Sequence, residues 1–82
     1  MSLREFTEKQ RALMAACEDA FAKRARVYVT GYFAEHSRAT ALSLERRGFL
    51  SIGCDGALDS YAFIDGQQYS EWLALSQGGR DE

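Results

Sequence analysis

The stretch Leu44-Glu45-Arg46-Arg47-Gly48-Phe49-Leu50-Ser51-Ile52 decides how the chain is read. The residues before Gly48 belong to a helix, because Tyr32 to Arg47 contains no proline and is rich in Ala, Leu, Glu and Arg. Gly48 suits the left-handed position just past a helix end, where a Cβ is unwelcome. Phe49 or Leu50 then folds back onto the last turn, and Arg46-Arg47 set positive charge at the carbonyl end of the helix dipole. After the glycine the period changes: Leu50 and Ile52 alternate with Ser51 and Gly53, which signals a strand. A helix that stops on glycine and passes at once into a strand fixes the middle of the fold.

Backwards from there, Ala41 and Leu44 are three apart, and Phe33 and Ser37 continue their line at four-residue steps. One helix therefore ends at Arg47, with its start open between Thr30 and Ser37 as the cap. Arg26-Val27-Tyr28-Val29-Thr30 is β-branched and aromatic and reads as a short strand ended by Gly31. Further back, Phe6, Leu13, Met14, Cys17 and Phe21 form one stripe of an amphipathic helix from about Glu8 to about Ala22. Thr7 with Gln10 makes a capping box at its start, and Lys23-Arg24 mark its end.

Forwards, Tyr61 and Phe63 alternate with Ala62 and Ile64, and the loop Gly53 to Asp59 contains a turn-forming Asp55-Gly56. This is a β-hairpin with a loop of several residues. Asp65 caps a final helix carrying Tyr69, Trp72 and Leu73 on one face. The expected fold class is α+β, with the order helix, short strand, helix, β-hairpin, C-terminal helix. Residues 1–76 make one domain and 77–82 a polar tail that frays.

Composition bounds the function. Hydrophobic residues at 46% and charged residues at 27% are ordinary globular values. Apolar runs such as Ala39-Thr40-Ala41-Leu42 are far too short to span a bilayer, and Glu5 falls where a signal peptide needs apolar residues. A cytoplasmic protein is expected, with no membrane association. In that compartment Cys17 and Cys54 read as free, partly buried thiols. Zinc is not expected, since the only imidazole, His36, is far in sequence from either thiol. Charge is uneven. Residues 1–50 hold nine Lys or Arg against six acids, a net of +3, whereas residues 51–82 hold one against six, a net of −5. A basic face on the N-terminal elements is thus compatible with the total of −2.

Three segments resemble the winged helix-turn-helix proteins. Thr7-Glu8-Lys9-Gln10-Arg11-Ala12-Leu13-Met14 looks like their opening helix. Leu44-Glu45-Arg46-Arg47-Gly48-Phe49-Leu50 looks like the end of a recognition helix entering the first wing strand. Tyr61-Ala62-Phe63-Ile64-Asp65-Gly66 followed by Gln67 to Leu73 resembles the return strand and the helix that often follows. The resemblance implies a compact winged-helix-like domain that binds duplex DNA as a regulator of transcription, or a small bacterial or phage-encoded accessory protein. One departure stands out. The family places a complete short helix and a turn before the recognition helix, but here only Gly31 to about Ser37 serves for both. Either that helix is reduced to about one turn or it is missing.

No pattern supports catalysis or a cofactor. Ser37 beside His36 is not a nucleophile–base pair, because neighbours on a helix point in different directions. Glycine-rich phosphate loops are absent. For duplex DNA, the polar side chains expected to face outwards from the second helix are Ser37, Arg38, Thr40, Ser43, Arg46 and Arg47. The resemblance places Arg38 and Ser43 nearer the bases and Arg46 and Arg47 nearer the phosphates. Arg24 and Arg26, with Lys9, Arg11 and Lys23, add phosphate contacts in that reading. The bland reading of the same residues is a solvated helix face with dipole-compensating arginines. Asp55 and Asp59 sit where a wing would carry basic residues, and phosphate would repel them. The alternative is an adapter or inhibitor that grips a host protein through Asp55, Asp59, Tyr69 and Trp72. The five phenylalanines are expected in the core. Trp72 with Tyr69 either packs onto the first helix or forms a homodimer seam, and the first is favoured because so small a domain needs the apolar area itself.

Overall fold

The computed structural model describes residues 5–31, 34–56 and 59–78. Residues 1–4, Tyr32, Phe33, Ala57, Leu58 and tail residues 79–82 lie outside that set, as do the side chains of Asp55 and Gln77. The chain is α+β, with α1 Glu8–Lys23, β1 Val27–Tyr28, α2 Arg38–Arg46, β2 Ser51–Asp55, β3 Asp59–Phe63 and α3 Gly66–Gly78. The strands form one antiparallel sheet in the order β1-β3-β2.

Helix α1 starts on the expected capping box. Thr7 Oγ1 accepts from the Gln10 amide at 3.1 Å, and Gln10 Oε1 accepts from the Thr7 amide at 2.8 Å. Helix α2 starts on Ser37, whose Oγ accepts from the Thr40 amide at 3.0 Å, and this resolves the choice of cap. Its end is a paired stop: the Gly48 amide donates to Glu45 O at 3.0 Å and the Phe49 amide to Leu44 O at 3.1 Å. Gly48 has φ 84°, with nothing near the position its Cβ would occupy. Between β1 and α2, no helix is present among the described residues.

Strand β1 is shorter than expected. It pairs Val27 with Ala62 and Tyr28 with Tyr61, then leaves the ladder. The reason is local. The amides of both Val29 and Thr30 point at Ser60 O, while the Thr30 hydroxyl accepts from the Ser60 amide at 2.7 Å. A side chain thus takes the place of the next ladder bond. The hairpin is tighter than expected, because pairing continues through Gly53↔Tyr61, Cys54↔Ser60 and Asp55↔Asp59. Gly53 makes this possible: a Cβ there would meet the Tyr61 ring at 2.7 Å. Helix α3 runs to Gly78, two residues into the stretch expected to fray.

The core is built from Leu13, Met14, Cys17, Ala41, Leu44, Leu50 and Ala62, all 0–1% exposed. At one end, Phe6, Phe49 and Trp72 meet edge to face, with centroids 5.1–5.7 Å apart. Trp72 is therefore buried inside its own chain and is not available as a dimer seam. Two of the phenylalanines expected inside are not there. Phe21 is 40% and Phe63 41% exposed. Phe63 shares the outer face of β3 with Tyr61, because Ala62 and Ile64 take the inner face. Phe21 lies on the last turn of α1, where its ring stacks on Tyr69 of α3 at 4.9 Å.

Candidate nucleic-acid interface

Helix α2 is pinned at both ends and turns Ala41 and Leu44 into the core. At about 100° per residue, Arg38, Ala39, Leu42, Glu45 and Arg46 fall on one arc of the helix, away from Thr40, Leu44 and Arg47. Arg38, Ala39, Glu45 and Arg46 are exposed, so α3 does not cover them. Neither Arg38 nor Arg46 makes an ion pair with a described residue, although Glu45 shares their side of the helix.

The other four polar residues expected on that face are placed differently. Ser43 is half-buried and turned towards α1, donating to Thr40 O at 2.6 Å and accepting from Gln10 Nε2 at 2.9 Å. It is a helix–helix contact and does not point outwards. Ser37 is occupied as the cap, with its hydroxyl 3.2 Å from that of half-buried Thr40. Arg47 lies over the Phe6 ring, its Cζ 3.8 Å from the centroid. It donates to Glu5 O at 3.1 Å and stands 3.9 Å from the Glu5 carboxylate. Arg47 therefore fastens the segment before α1 onto the end of α2.

Arg24 and Arg26 lie apart from the α2 face. Together with Phe21, Tyr61 and Phe63 they border a groove of about 610 Å³ between the last turn of α1 and β3. Arg26 spreads over the Tyr61 ring at 4.5 Å from its centroid. Arg24 is exposed and caps α1 in the left-handed conformation, with φ 55°. Lys23 pairs with Asp19 at 3.0 Å on the solvent side of α1, a contact worth little.

The residues proposed for protein binding are partly withdrawn. Trp72 is 4% exposed and Tyr69 is half-buried against Phe21. Asp59 is half-buried with its carboxylate directly against Gly31, where a Cβ would collide with it. Among the described residues, the large apolar side chains left exposed are Phe21 and Phe63, which periodicity alone assigns to the core. The alternation Tyr61-Ala62-Phe63-Ile64 is apolar on both faces, so one face must stay outside a two-layer core, but which one is decided by the fold.

Cys17 is buried and its thiol is pushed up to about 12, chiefly by burial and secondly by Glu18, whereas Cys54 is exposed on β2. Both are free thiols. Among the described residues no three His, Cys, Asp or Glu side chains gather as metal ligands, and no helix is long and apolar enough to cross a membrane. No protein-family model matches the chain, and comparison with curated proteins and with solved structures gives no match either.

Proposed function

We propose that this chain is a small non-enzymatic DNA-binding regulator or accessory protein, built as a reduced winged helix that presents the outer side of α2 to a duplex. The observation that carries the reading is the pair Arg38 and Arg46, exposed two turns apart on a helix capped firmly at both ends. A rigid rod with forked guanidinium groups on its open side suits base edges and phosphate oxygens alike. The order of elements supports the same reading, with α2 stopping on Gly48 and passing directly into β2. Its footprint is smaller than the sequence suggests, because Ser43 and Arg47 are engaged within the chain.

The test is a mobility-shift selection with a random duplex pool at low salt. Wild type retains duplexes, and the double variant Arg38→Ala, Arg46→Ala binds them more weakly, with a log–log salt slope shallower by roughly 0.9 for the one phosphate contact of Arg46. Glu45→Gln removes the carboxylate on the same face and tightens binding. Failure of the wild-type chain to retain any duplex refutes the reading.

A further inference from the structure

We infer that the groove between the last turn of α1 and strand β3 is a separate binding site for a short run of single-stranded nucleic acid. Phosphate would be held by Arg24 and Arg26, and a base would lie against Phe63. The inference does not depend on duplex binding by α2, from which the groove is spatially distinct.

The chemistry of the lining argues for this ligand. The groove has two guanidinium groups and three aromatic rings, and no Asp or Glu lines it. In a chain of net charge −2 with twelve acids, that is a local reversal of sign. Arginine with aromatic faces is the combination that tracks a phosphate backbone while stacking bases without regard to sequence. Phe63 is the ring presented for stacking: of the two exposed large apolar side chains among the described residues, the other, Phe21, already stacks on Tyr69. The floor is low because Ala20, Ala22 and Ala25 are small. About 610 Å³ is the size of a small-ligand cleft and is narrow for a folded protein, whose interfaces take roughly 20–30 residues a side. The acid-free stretch is also short. The adjoining depression shares Ala20, Ala25 and Arg26 but is lined by Asp19 and Glu35, which repel phosphate.

Arg24 adds an independent sign. It is the one non-glycine residue with positive φ among the described residues, at a helix stop where glycine is the relaxed choice. The fold would be served better by glycine, and what arginine contributes there is a charge at the mouth of the groove.

The deciding measurement is fluorescence anisotropy with a labelled oligothymidylate of about ten nucleotides at low salt. The expected result is saturable binding by the wild-type chain, weakened roughly 5- to 150-fold in Phe63→Ala, the range for loss of one base–aromatic stack. Arg24→Gly is expected to lower the salt slope by about 0.7 while melting no earlier than wild type. The pair Arg38→Ala, Arg46→Ala is expected to bind the oligomer as wild type does, which separates this site from the α2 face. The inference is overturned by absence of wild-type binding, by unchanged binding in Phe63→Ala, or by loss in the α2 pair instead. It is equally overturned if sedimentation shows a dimer that Phe63→Ala abolishes, since a second copy then fills the groove.

Discussion

Helices α1 and α2 end with the same hydrogen-bond pattern but with opposite choices of residue. At α2 the Phe49 amide reaches Leu44 O and the Gly48 amide reaches Glu45 O. At α1 the Ala25 amide reaches Ala20 O at 2.8 Å and the Arg24 amide reaches Phe21 O at 3.4 Å. The left-handed residue is glycine in the first case and arginine in the second. The flanking residues differ too: Phe49 and Leu44 are buried and weld the α2 stop into the core, whereas Ala25 is exposed and leaves a groove beside α1. One stop is optimised for packing. The other gives up local ease and keeps a charge and an open surface.

The largest expected effect tests the welded end. Leu44→Ala removes a fully buried side chain from the α2 stop and should cost about 2–5 kcal/mol, read from the urea midpoint. Phe21→Ala, in the last turn of α1 one position past Ala20, the counterpart of Leu44, should cost clearly less, because that ring is 40% exposed. If the two losses were equal, the contrast between a welded and an open end would not hold.

Next comes the pH response of Cys17, which lines the groove beneath α1. Burial raises its thiol from an ordinary value of 9.0 to about 12 in the folded chain. Its contribution to stability is therefore complete below pH 9 and declines as pH rises, because the unfolded thiol ionises first. The decline is at most about 1.4 kcal/mol per pH unit up to the folded value. Urea midpoints of wild type and Cys17→Ala over that window should converge as pH rises, and parallel curves would remove the thiol as the cause.

The smallest effects are the most pointed, since they have opposite signs. Gly48→Ala should destabilise by about 1 kcal/mol, because alanine is strained at φ 84°. Arg24→Gly should be neutral or stabilise by up to about 1 kcal/mol, because it relieves a left-handed arginine. Thermal unfolding of the two single variants measures both. A loss of stability in Arg24→Gly would mean that the side chain serves the fold after all.

Local signals are legible in the sequence. The capping box at Thr7 and Gln10 and the glycine stop at Gly48 are short-range geometry, so their residues carry the answer. The hairpin was legible as a pattern, but its loop length was not. Whether Gly53-Cys54-Asp55 pairs with Asp59-Ser60-Tyr61 depends on the Tyr61 ring finding space over Gly53, which is a contact across strands. The interface was least legible. Ser43 and Arg47 look like outward polar residues in one helix, yet Gln10 and the Phe6 ring, more than thirty positions earlier, turn them inwards.

Residues a few positions apart are enough to give the start of α1, the glycine stop, the order of elements and the α+β class, whereas the start of α2 at Ser37 rather than Thr30 came from the fold. Tertiary structure alone decided which aromatic rings went inside. Phe6, Phe49 and Trp72 closed one end of the core among themselves, and Phe21 and Phe63 were left beside Arg24 and Arg26. The physical reason is that a small domain has too little interior for every ring. Which ones are excluded depends on how the sheet and helices meet, and no local pattern encodes that.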